Sequence, residues 1–464
     1  MSNQEDILSV ENRPDYTPQI DARTKIVEIL SKVDTRHAYS DILLEKEIID
    51  LSDVDKRFVT EVVNGVLRWR LRLDWYLNQL YLGEYDNLLI EVKNNLRSSV
   101  YQLLFLDKIP AYAVLYEAVE IAKAKFNQKT ANLVNAILRN YLRQAKKFDF
   151  LEMEMEILDK LAFRYSHPKW LIQRWIEHWG IDEVSMLCQA NNERPRLSVR
   201  LNRQIADPTS FFKSLDENQI SYEVHPDFPD FVWIDNFQDF RKLDFISRGW
   251  VSVQDISTGI PAVLLNPIPG EKVLDMCAAP GGKTGYIADK MGDDGFILAL
   301  DRHPSRLKTL ANNMKRLQLR SPRSVTADGN RLPVRCEFDK ILVDAPCTGF
   351  GVLRKKVDLK WKRTEQDISE MKEVQLKLLE QAAASLRVGG LMVYSTCTLE
   401  PEENEKNIYR FLEKHPEFEL LRLKNRIPEK YITHKYFVYT FPHKHQMDGS
   451  FAALLQKGAA SKKE

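Results

Sequence analysis

The chain has 464 residues, with 67 basic against 66 acidic side chains and a formal net charge of +1. At about 100–200 residues per domain, this length predicts two to four domains. Hydrophobic residues make up 44% of the chain and charged residues 29%, which is typical of a globular protein and excludes wholesale disorder. No apolar run approaches the roughly 18 residues that span a bilayer, so we expect no membrane partner.

The five cysteines are odd in number and scattered, and no CxxC pair occurs among them. This pattern excludes a disulfide framework and a zinc knuckle, and it predicts a chain without a bound metal in a reducing cytoplasm. The polar, acidic start predicts a frayed tail over residues 1–20 rather than a targeting peptide, and we expect a second tail over 460–464. Residues 1–300 carry a net charge of −9 and residues 301–464 a net charge of +10. The near-neutral total is therefore compatible with one basic face.

Apolar side chains recur at helical spacing from residue 21 to residue 146, as in RTKIVEILSKV and ANLVNAILRNYL. Each apolar stripe predicts a helix packed in a bundle, so we expect an all-α domain over this range. The pattern is mixed from residue 147 to residue 245. There, SHPKWLIQRWIEHWG predicts a helix that Ser166 caps and Gly180 ends, while PRLSVRLN and FVWI predict short strands. We therefore expect a small α+β module that links the helical domain to the rest of the chain.

Short apolar runs alternate with helical stretches from residue 246 to residue 459: KVLDMC, GFILALD, RSVTAD, KILVDA and LMVYST. This alternation predicts an α/β, Rossmann-like domain whose parallel sheet is covered by helices on both faces. Ligands of such sheets bind beyond the carboxyl ends of the strands. The unusual residues of this sequence follow those strand ends.

The loop CAAPGGKT follows the first of these strands. Gly281 and Gly282 allow the backbone to turn tightly beside a ligand, but a Walker loop would need a glycine where Cys277 stands, and GxGxxG is absent. Asp301 ends the second strand, where a carboxylate can accept hydrogen bonds from both ribose hydroxyls. Asp328, after the third strand, adds a carboxylate suited to an adenine amino group. These residues indicate an adenosine-like ligand, with a helix N-cap as the alternative role of each aspartate.

Two further motifs follow the fourth and fifth strands, DAPCTGFG from residue 344 and YSTCTLEPEEN from residue 394. Each places a cysteine, Cys347 or Cys397, just past the end of its strand. A lone cysteine at such a position is usually a small buried hydrophobic residue. Two of them on neighbouring strands, beside a cofactor loop, indicate chemistry instead.

Taken in this order, CAAPGGKT, the DAPC turn and the STCT turn resemble the RNA cytosine-5 methyltransferases of the bacterial RsmB/Sun type and their eukaryotic nucleolar relatives. VSVQDISTGIPAVLL before the sheet and QMDGSFAALL near the end also match segments of that family. DKRFVTEVVNGVLRWR, IPAYAVLYEAVEIAK and NLVNAILRN resemble the NusB-type domain that is fused to the small-subunit ribosomal RNA enzymes. The chain departs from the family at Thr348, where serine is usual, at Val357, where proline is usual, and at Ser450, a commonly aromatic position.

The resemblance implies S-adenosylmethionine as methyl donor, and ribosomal RNA, naked or in an assembling small ribosomal subunit, as partner. It assigns the nucleophile to Cys397, assistance in product release to Cys347, and a hydrogen bond to N3 of cytosine to Asp344, which also lies near the sulfonium. It places Asp301 at the ribose and Asp328 at the adenine. The implied cofactor loop comprises Cys277, Ala278, Ala279, Pro280, Gly281, Gly282 and Lys283. Within this loop we interpret Cys277 as a packing residue rather than a third catalytic thiol.

The expected activity is that of an RNA (cytosine-5-)-methyltransferase acting on 16S ribosomal RNA. C5 of cytosine is a poor nucleophile, and a thiolate that adds to C6 turns the ring into an enamine with electron density at C5. The target cytosine must leave any stack to meet a thiol. The segment Arg354–Arg363, six basic residues with Trp361 among them, predicts an RNA contact, with a solvated basic helix start as the alternative. A transfer RNA enzyme and a non-catalytic RNA-binding assembly factor remain the alternative functions.

Overall fold

The computed structural model describes residues 20–36, 38–144, 154–236, 240–332 and 336–459. The predicted tails, except Ile20, lie outside these residues. The chain divides into two units: the first extends to Asn192 and also takes in residues 356–362, and the second contains residues 193–355 and the chain from Arg363 onward. No helix of the described ranges is long and apolar enough to cross a membrane.

The first unit is helical, as the apolar periodicity predicts. Ile26 and Leu30 of the first helix and Val134 and Leu138 of the sixth are fully buried in one common core. Helices α1 to α9 are α1 (Ile20–Arg36), α2 (Ser40–Glu47), α3 (Asp53–Leu80), α4 (Ile90–Phe105), α5 (Ala111–Lys125), α6 (Gln128–Gln144), α7 (Ile157–Tyr165), α8 (Lys169–Trp179) and α9 (Ile181–Asn192).

The start of α8 differs from the sequence expectation. Ser166 has a φ of 54° and ends α7, and its hydroxyl accepts a hydrogen bond from the backbone N–H of Leu71 at 3.0 Å. The residue that precedes α8 is Pro168. The prediction that Ser166 caps α8 is therefore wrong, because its hydroxyl is used by a partner on α3. Gly180, with a φ of 80°, ends α8 as predicted.

The second unit begins with a small antiparallel sheet in the order β2-β3-β1-β4. Its elements are β1 (Leu197–Leu201), α10 (Pro208–Glu217), β2 (Tyr222–Val224), β3 (Phe231–Ile234) and β4 (Val251–Val253). Phe211 and Leu215 of α10 are buried with Val199 and Val232 of the sheet. The strands predicted from PRLSVRLN and FVWI are confirmed as β1 and β3.

The rest of the second unit contains an eight-stranded sheet in the order β10-β12-β9-β8-β5-β6-β7, with β11 also paired to β12. Neighbouring strands from β5 to β9 are parallel, whereas β12 pairs antiparallel with β9, β10 and β11. The expected parallel sheet is therefore mixed. The five predicted strands are confirmed as β5 to β9. The elements are α11 (Ile256–Leu265), β5 (Lys272–Met276), α12 (Gly282–Lys290), β6 (Phe296–Asp301), α13 (Pro304–Arg316), β7 (Pro322–Thr326), β8 (Phe338–Asp344), α15 (Glu365–Ser385), β9 (Leu386–Thr396), α16 (Glu405–Lys414), β10 (Phe418–Leu420), β11 (Val438–Thr440), α17 (Pro442–His445) and β12 (Ser450–Lys457). Helix α14 (Leu359–Lys362), between β8 and α15 in the chain, belongs to the first unit.

Both faces of the large sheet are buried, as in a doubly wound fold. Val273 and Leu342 pack on the face that α11, α12 and α13 cover, while their neighbours Leu274 and Ile341 pack on the face covered by α15 and α16. Since β5 to β9 are parallel, their carboxyl ends meet at one edge of the sheet. The loops at that edge carry the candidate site residues.

Candidate active site

The loop between β5 and α12 has a backbone shape that requires glycine where the helix begins. Gly281 has a φ of 101°, and a Cβ at this position would lie 3.0 Å from Cγ of Leu310 and 3.1 Å from Cε of Met314. The N–H of Ala278 donates to the carbonyl of Leu300 at 2.7 Å, which fixes the loop against β6. The first N–H groups of α12 have no acceptor within the helix. The loop therefore offers backbone donors and the positive end of a helix dipole.

Asp301 lies at the carboxyl end of β6 with a buried side chain. Its Oδ1 accepts a hydrogen bond from the N–H of His303 at 2.9 Å, whereas Oδ2 accepts none from the residues that the structure describes and forms an ion pair with Nη1 of Arg306 at 3.2 Å. The same guanidinium donates through Nη2 to the carbonyl of Ala279 at 2.5 Å. Arg306 thus joins Asp301 to the β5–α12 loop, a role that sequence reasoning missed. Arg306 lies in the first turn of α13, directly after the carboxyl end of β6, and this position could have indicated its role from the sequence.

Asp328 is exposed after β7, and its Oδ1 accepts hydrogen bonds from N and Nδ2 of Asn330 at 3.0 and 3.1 Å. The alternative role of a helix N-cap does not apply to Asp301 or to Asp328. His303 is the residue that precedes α13, and no helix described by the structure begins directly after Asp328.

Asp344, at the end of β8, carries two charge-assisted contacts. Its Oδ2 lies 2.7 Å from Nζ of Lys283, and its Oδ1 accepts a hydrogen bond from the hydroxyl of Ser395 at 2.9 Å. Burial by itself would lower the pKa of Lys283, but the Asp344 carboxylate and then the Cys397 sulfur outweigh burial and raise it. Lys283 is therefore an ammonium group, held between a carboxylate and a thiol.

The two cysteines expected to be catalytic are in contact. Sγ of Cys347 lies 3.2 Å from Sγ of Cys397, and both residues are half-buried. The N–H of Gly351 donates to the carbonyl of Cys397 at 3.0 Å, which ties the two loops by the backbone as well. The hydrogen bond with Cys397, and then burial, raise the pKa of Cys347 well above its ordinary value. Cys347 therefore keeps its proton at neutral pH, and its Sγ can donate a hydrogen bond to the Cys397 sulfur.

The other cysteines lie in different surroundings. Burial, and then the carboxylates of Asp344 and Asp275, raise the pKa of Cys277 to about 12, and this thiol packs against the core on one face of the sheet. Cys188 is buried in the first unit, and Cys336 is exposed. No group of three or more His, Cys, Asp or Glu side chains within the described residues could hold a metal ion.

The segment Arg354–Arg363 has partners within the protein, contrary to the expected RNA contact. Nε of Arg354 lies 3.0 Å from Oδ1 of Asp448. Nζ of Lys355 lies 2.5 Å from Oδ2 of Asp255 and 2.7 Å from Oδ2 of Asp448. These ion pairs hold the chain that follows the Cys347 loop.

Residues 356–362 belong to the first unit. Lys360 is buried, its Nζ donates to the carbonyl of Arg68 at 2.9 Å, and burial lowers its pKa well below the ordinary value. Nε1 of Trp361 donates to the carbonyl of Leu67 at 2.6 Å. The expectations that Lys360 neutralises a phosphate and that Trp361 stacks on a base are therefore wrong, because both side chains are used in packing against α3.

Three family models match the chain in succession. The NusB family matches residues 20–143, the RsmF/B-like ferredoxin-like domain matches residues 167–241, and the family described as 16S rRNA methyltransferase RsmB/F matches residues 262–456. The protein named "Probable ribosomal RNA small subunit methyltransferase B" from Bacillus subtilis (strain 168) is 34% identical over 93% of this chain and 97% of its own. The protein named "Ribosomal RNA small subunit methyltransferase B" from Cronobacter sakazakii is 36% identical over 80% of this chain and 85% of its own.

Solved structures agree with these relatives. The crystal structure of PH0851 covers 95% of this chain and 100% of its own, with a TM-score of 0.79 and 27% identity. A methyltransferase homolog protein from Pyrococcus horikoshii covers 65% of this chain and 99% of its own, with a TM-score of 0.58 and 30% identity. The α/β domain is thus a methyltransferase fold, preceded by a NusB-like helical region and a ferredoxin-like module. The chain therefore belongs to the RsmB/F family of 16S ribosomal RNA methyltransferases.

Proposed function

We propose that this chain transfers a methyl group from S-adenosylmethionine to C5 of a cytosine in 16S ribosomal RNA, through a covalent bond between Cys397 and C6. The observation that carries the proposal is the 3.2 Å contact between the thiols of Cys347 and Cys397, beside the ion pair of Lys283 with Asp344. Methylation of an atom that is already nucleophilic needs no thiol pair. The names of the curated relatives favour ribosomal RNA over transfer RNA as the substrate.

The residues around the loop between β5 and α12 fit S-adenosylmethionine. Oδ2 of Asp301 is a buried acceptor that receives no hydrogen bond from the described residues, although Nη1 of Arg306 lies 3.2 Å away; such a carboxylate suits a ribose diol at the end of the second parallel strand. The backbone N–H groups from Gly282 to Thr284 suit the carboxylate of the methionine part. Exposed Asp328 would hold the adenine, and Cys277 to Lys283 would line the rest. When bound, the cofactor supplies a methyl group on a positively charged sulfur.

Cys397 supplies the nucleophile. The Cys347 thiol lies 3.2 Å from the Cys397 sulfur, and the nucleophilic form of a cysteine is its thiolate. This thiolate forms the bond to C6, and the displaced electron pair moves to C5 as N3 receives a hydrogen bond. Asp344 is the group assigned to the hydrogen bond with N3, and the Lys283 ammonium, 2.7 Å from its Oδ2, holds the carboxyl group in place.

Release of the product reverses the addition. Once C5 carries the methyl group, a base takes the C5 proton, and the electrons of that C–H bond re-form the C5–C6 double bond as the bond between C6 and the Cys397 sulfur breaks. The Cys397 sulfur leaves as a thiolate, which the Cys347 thiol, 3.2 Å away, can stabilise by donating a hydrogen bond. A general acid or base must lie within such a distance of the atom that it serves.

Three variants test the proposal. Cys397→Ala should abolish methylation and leave S-adenosylmethionine binding nearly unchanged, whereas Cys347→Ala should accumulate a covalent RNA–protein adduct that migrates slowly on a denaturing gel. Cys336→Ser, which changes an exposed thiol away from the strand ends, is the matched control. Full methylation by Cys397→Ala would refute the function, and a lack of adduct with Cys347→Ala would refute the release role.

The substrate is identified by bisulfite sequencing of ribosomal RNA from cells with and without this protein. Loss of protection at one cytosine of 16S ribosomal RNA is the expected result. Loss at a transfer RNA position would establish the transfer RNA alternative. Restoration of the protected cytosine by the wild type, but not by the Cys397→Ala variant, would exclude a non-catalytic assembly factor.

A further inference from the structure

Two adjacent residues in the loop between β9 and α16, Glu403 and Asn404, are fully buried in the second unit. Strand pairing holds the two cysteine loops only up to Asp344 and Ser395, the last pair of β8 with β9. The thiols lie beyond this last pair, so other contacts must set their separation.

Glu403 holds the loop of Cys347 directly through Thr348 and indirectly through Gln375. Its Oε2 accepts hydrogen bonds from the N–H of Thr348 at 3.0 Å and from Nε2 of Gln375 at 2.8 Å, and its Oε1 lies 2.5 Å from the hydroxyl of Thr348. Nε2 of Gln375 also donates to the carbonyl of Pro346 at 2.9 Å. The residues before and after Cys347 are therefore tied to one carboxyl–amide pair.

Asn404 holds the loop of Cys397 in the same manner. Its Nδ2 donates to the carbonyl of Thr398 at 3.0 Å, and its Oδ1 accepts a hydrogen bond from the hydroxyl of Thr396 at 2.6 Å. The two loops also meet directly, because the hydroxyls of Thr348 and Thr398 lie 2.8 Å apart. Each of these threonines immediately follows one of the two cysteines.

We propose that Glu403 and Asn404 are positioning residues that set the separation of the Cys347 and Cys397 thiols for product release. The proposal rests on the thiol chemistry proposed above and adds the device that aligns the two sulfurs. A single peptide bond joins the two residues, so a displacement of one cysteine loop is transmitted to the other through a short, buried connection.

The chemistry of Glu403 allows a matched pair of variants. Burial raises the pKa of Glu403 to about 7, and both forms of the carboxyl can hold Thr348. An ionised Oε1 accepts from the Thr348 hydroxyl, which in turn accepts from Thr398, and a protonated Oε1 donates to it. A glutamine can satisfy the same set, with its carbonyl accepting from Thr348 and Gln375 and its amide donating to the Thr348 hydroxyl. An alanine removes every one of these contacts.

The first experiment measures thiol separation without RNA. In a Cys336→Ser background, the full-length protein is treated with the oxidant diamide, which joins Cys347 to Cys397 in a disulfide bond. Mass spectrometry of the peptides after digestion gives the rate of disulfide formation. A displacement of about 1 Å can change a proximity-limited rate about 100-fold, so we expect a 10- to 100-fold slower reaction in Glu403→Ala. Glu403→Gln should recover most of the rate, and Glu402→Gln, at a half-buried neighbour that forms an ion pair with Lys406, is the control with the same change of charge. Equal rates in Glu403→Ala and the wild type would overturn the proposal.

If Glu403→Ala does not fold, Thr348→Val and Thr348→Ser test whether the contacts of Glu403 set the separation of the two thiols. The valine removes the hydroxyl that contacts both Glu403 and Thr398, whereas the serine keeps it. We expect slow coupling of the two thiols only in the valine variant. Equal coupling in both threonine variants would overturn the proposal.

The second experiment measures the fate of the RNA adduct. With RNA and S-adenosylmethionine, Glu403→Ala should raise the ratio of covalent adduct to methylated product about tenfold, while the KM for the cofactor changes less than twofold. A merely structural defect would reduce adduct and product together, and that result would overturn the release role. If Cys397→Ala still methylates RNA, the proposed function fails, and the coupling rates still show separately whether Glu403 sets the thiol separation.

Discussion

Asp275, in β5, is a fully buried carboxyl whose titration gives the second unit a measurable response to pH. The hydroxyl of Thr284 donates to its Oδ2 at 2.6 Å, while Oδ1 accepts no hydrogen bond from the described residues. Burial first, and then the carboxylates of Asp344 and Asp301, raise the pKa of Asp275 to about 7, against the opposite effects of Thr284 and Lys283. The folded state therefore binds a proton that the unfolded chain releases near pH 3.9.

The sign and size of the effect follow from this pKa difference. The contribution of Asp275 to stability is complete below about pH 4 and is lost as the pH rises through 7. About three pKa units at 1.36 kcal/mol each correspond to at most about 4 kcal/mol. Asp275→Asn keeps an oxygen for the Thr284 hydroxyl and does not ionise. We therefore expect its free energy of unfolding to exceed that of the wild type by up to about 4 kcal/mol at pH 8 and by nothing at pH 4.

Amide hydrogen exchange of β5 and β8, followed by mass spectrometry and corrected for the intrinsic pH dependence of exchange, measures the stability of this core. The relevant quantity is the difference between Asp275→Asn and the wild type at each pH from 4 to 8. Asp294→Asn, at an exposed position before β6, is the control and should give a flat difference. A flat difference for Asp275→Asn as well would refute the reasoning.

Three shorter predictions concern other positions. Gly281→Ala combines a positive φ with a close Leu310 contact and should cost about 1–3 kcal/mol, seen by calorimetry as at least tenfold weaker S-adenosylmethionine binding. Val357→Ala should destabilise the first unit by about 1–3 kcal/mol, because Val357 lies in its core; an unchanged melting temperature would contradict this. Burial, and then Lys360, hold the pKa of His167 well below 6.5, so the wild type should lose up to about 1.4 kcal/mol per pH unit as the pH falls below 6.5. His167→Gln should remove that slope in urea titrations, and an unchanged slope would count against the assignment.

The spacing of apolar residues predicted the helices and strands in which buried side chains recur at regular intervals. The strands β5, β6 and β8 are buried along most of their length and alternate with helices, so their apolar runs stand out from the chain between them. Strand β7 is mostly exposed. The antiparallel strands β10, β11 and β12 do not alternate with long helices, and the alternation rule did not predict them. Ser166 shows the limit of local rules, since its hydroxyl is used by Leu71, a residue 95 positions away in the chain.

The candidate site was predictable where chemistry follows a strand end. Parallel strands bring Asp301, Asp344, Cys347 and Cys397 to one edge of the sheet without any knowledge of loop shape. Glu403 lies in the motif YSTCTLEPEEN, but the sequence alone does not indicate its role. Only the folded structure shows that its side chain is buried. Its side-chain partners are Thr348 in the loop after β8 and Gln375 in α15, and a local sequence pattern contains no information about such a meeting.

The basic segment Arg354–Arg363 shows why a count of charges does not locate an RNA surface. All six of its basic side chains have acceptors within the protein, and these acceptors are carboxylates or backbone carbonyls. Lys360 is buried and its Nζ donates to the carbonyl of Arg68, so this side chain is out of reach of a phosphate and releases no counterion from one. The net charge of +10 over residues 301–464 therefore overstates the cations available to RNA. A basic motif indicates a nucleic-acid contact only where folding leaves its charges in water.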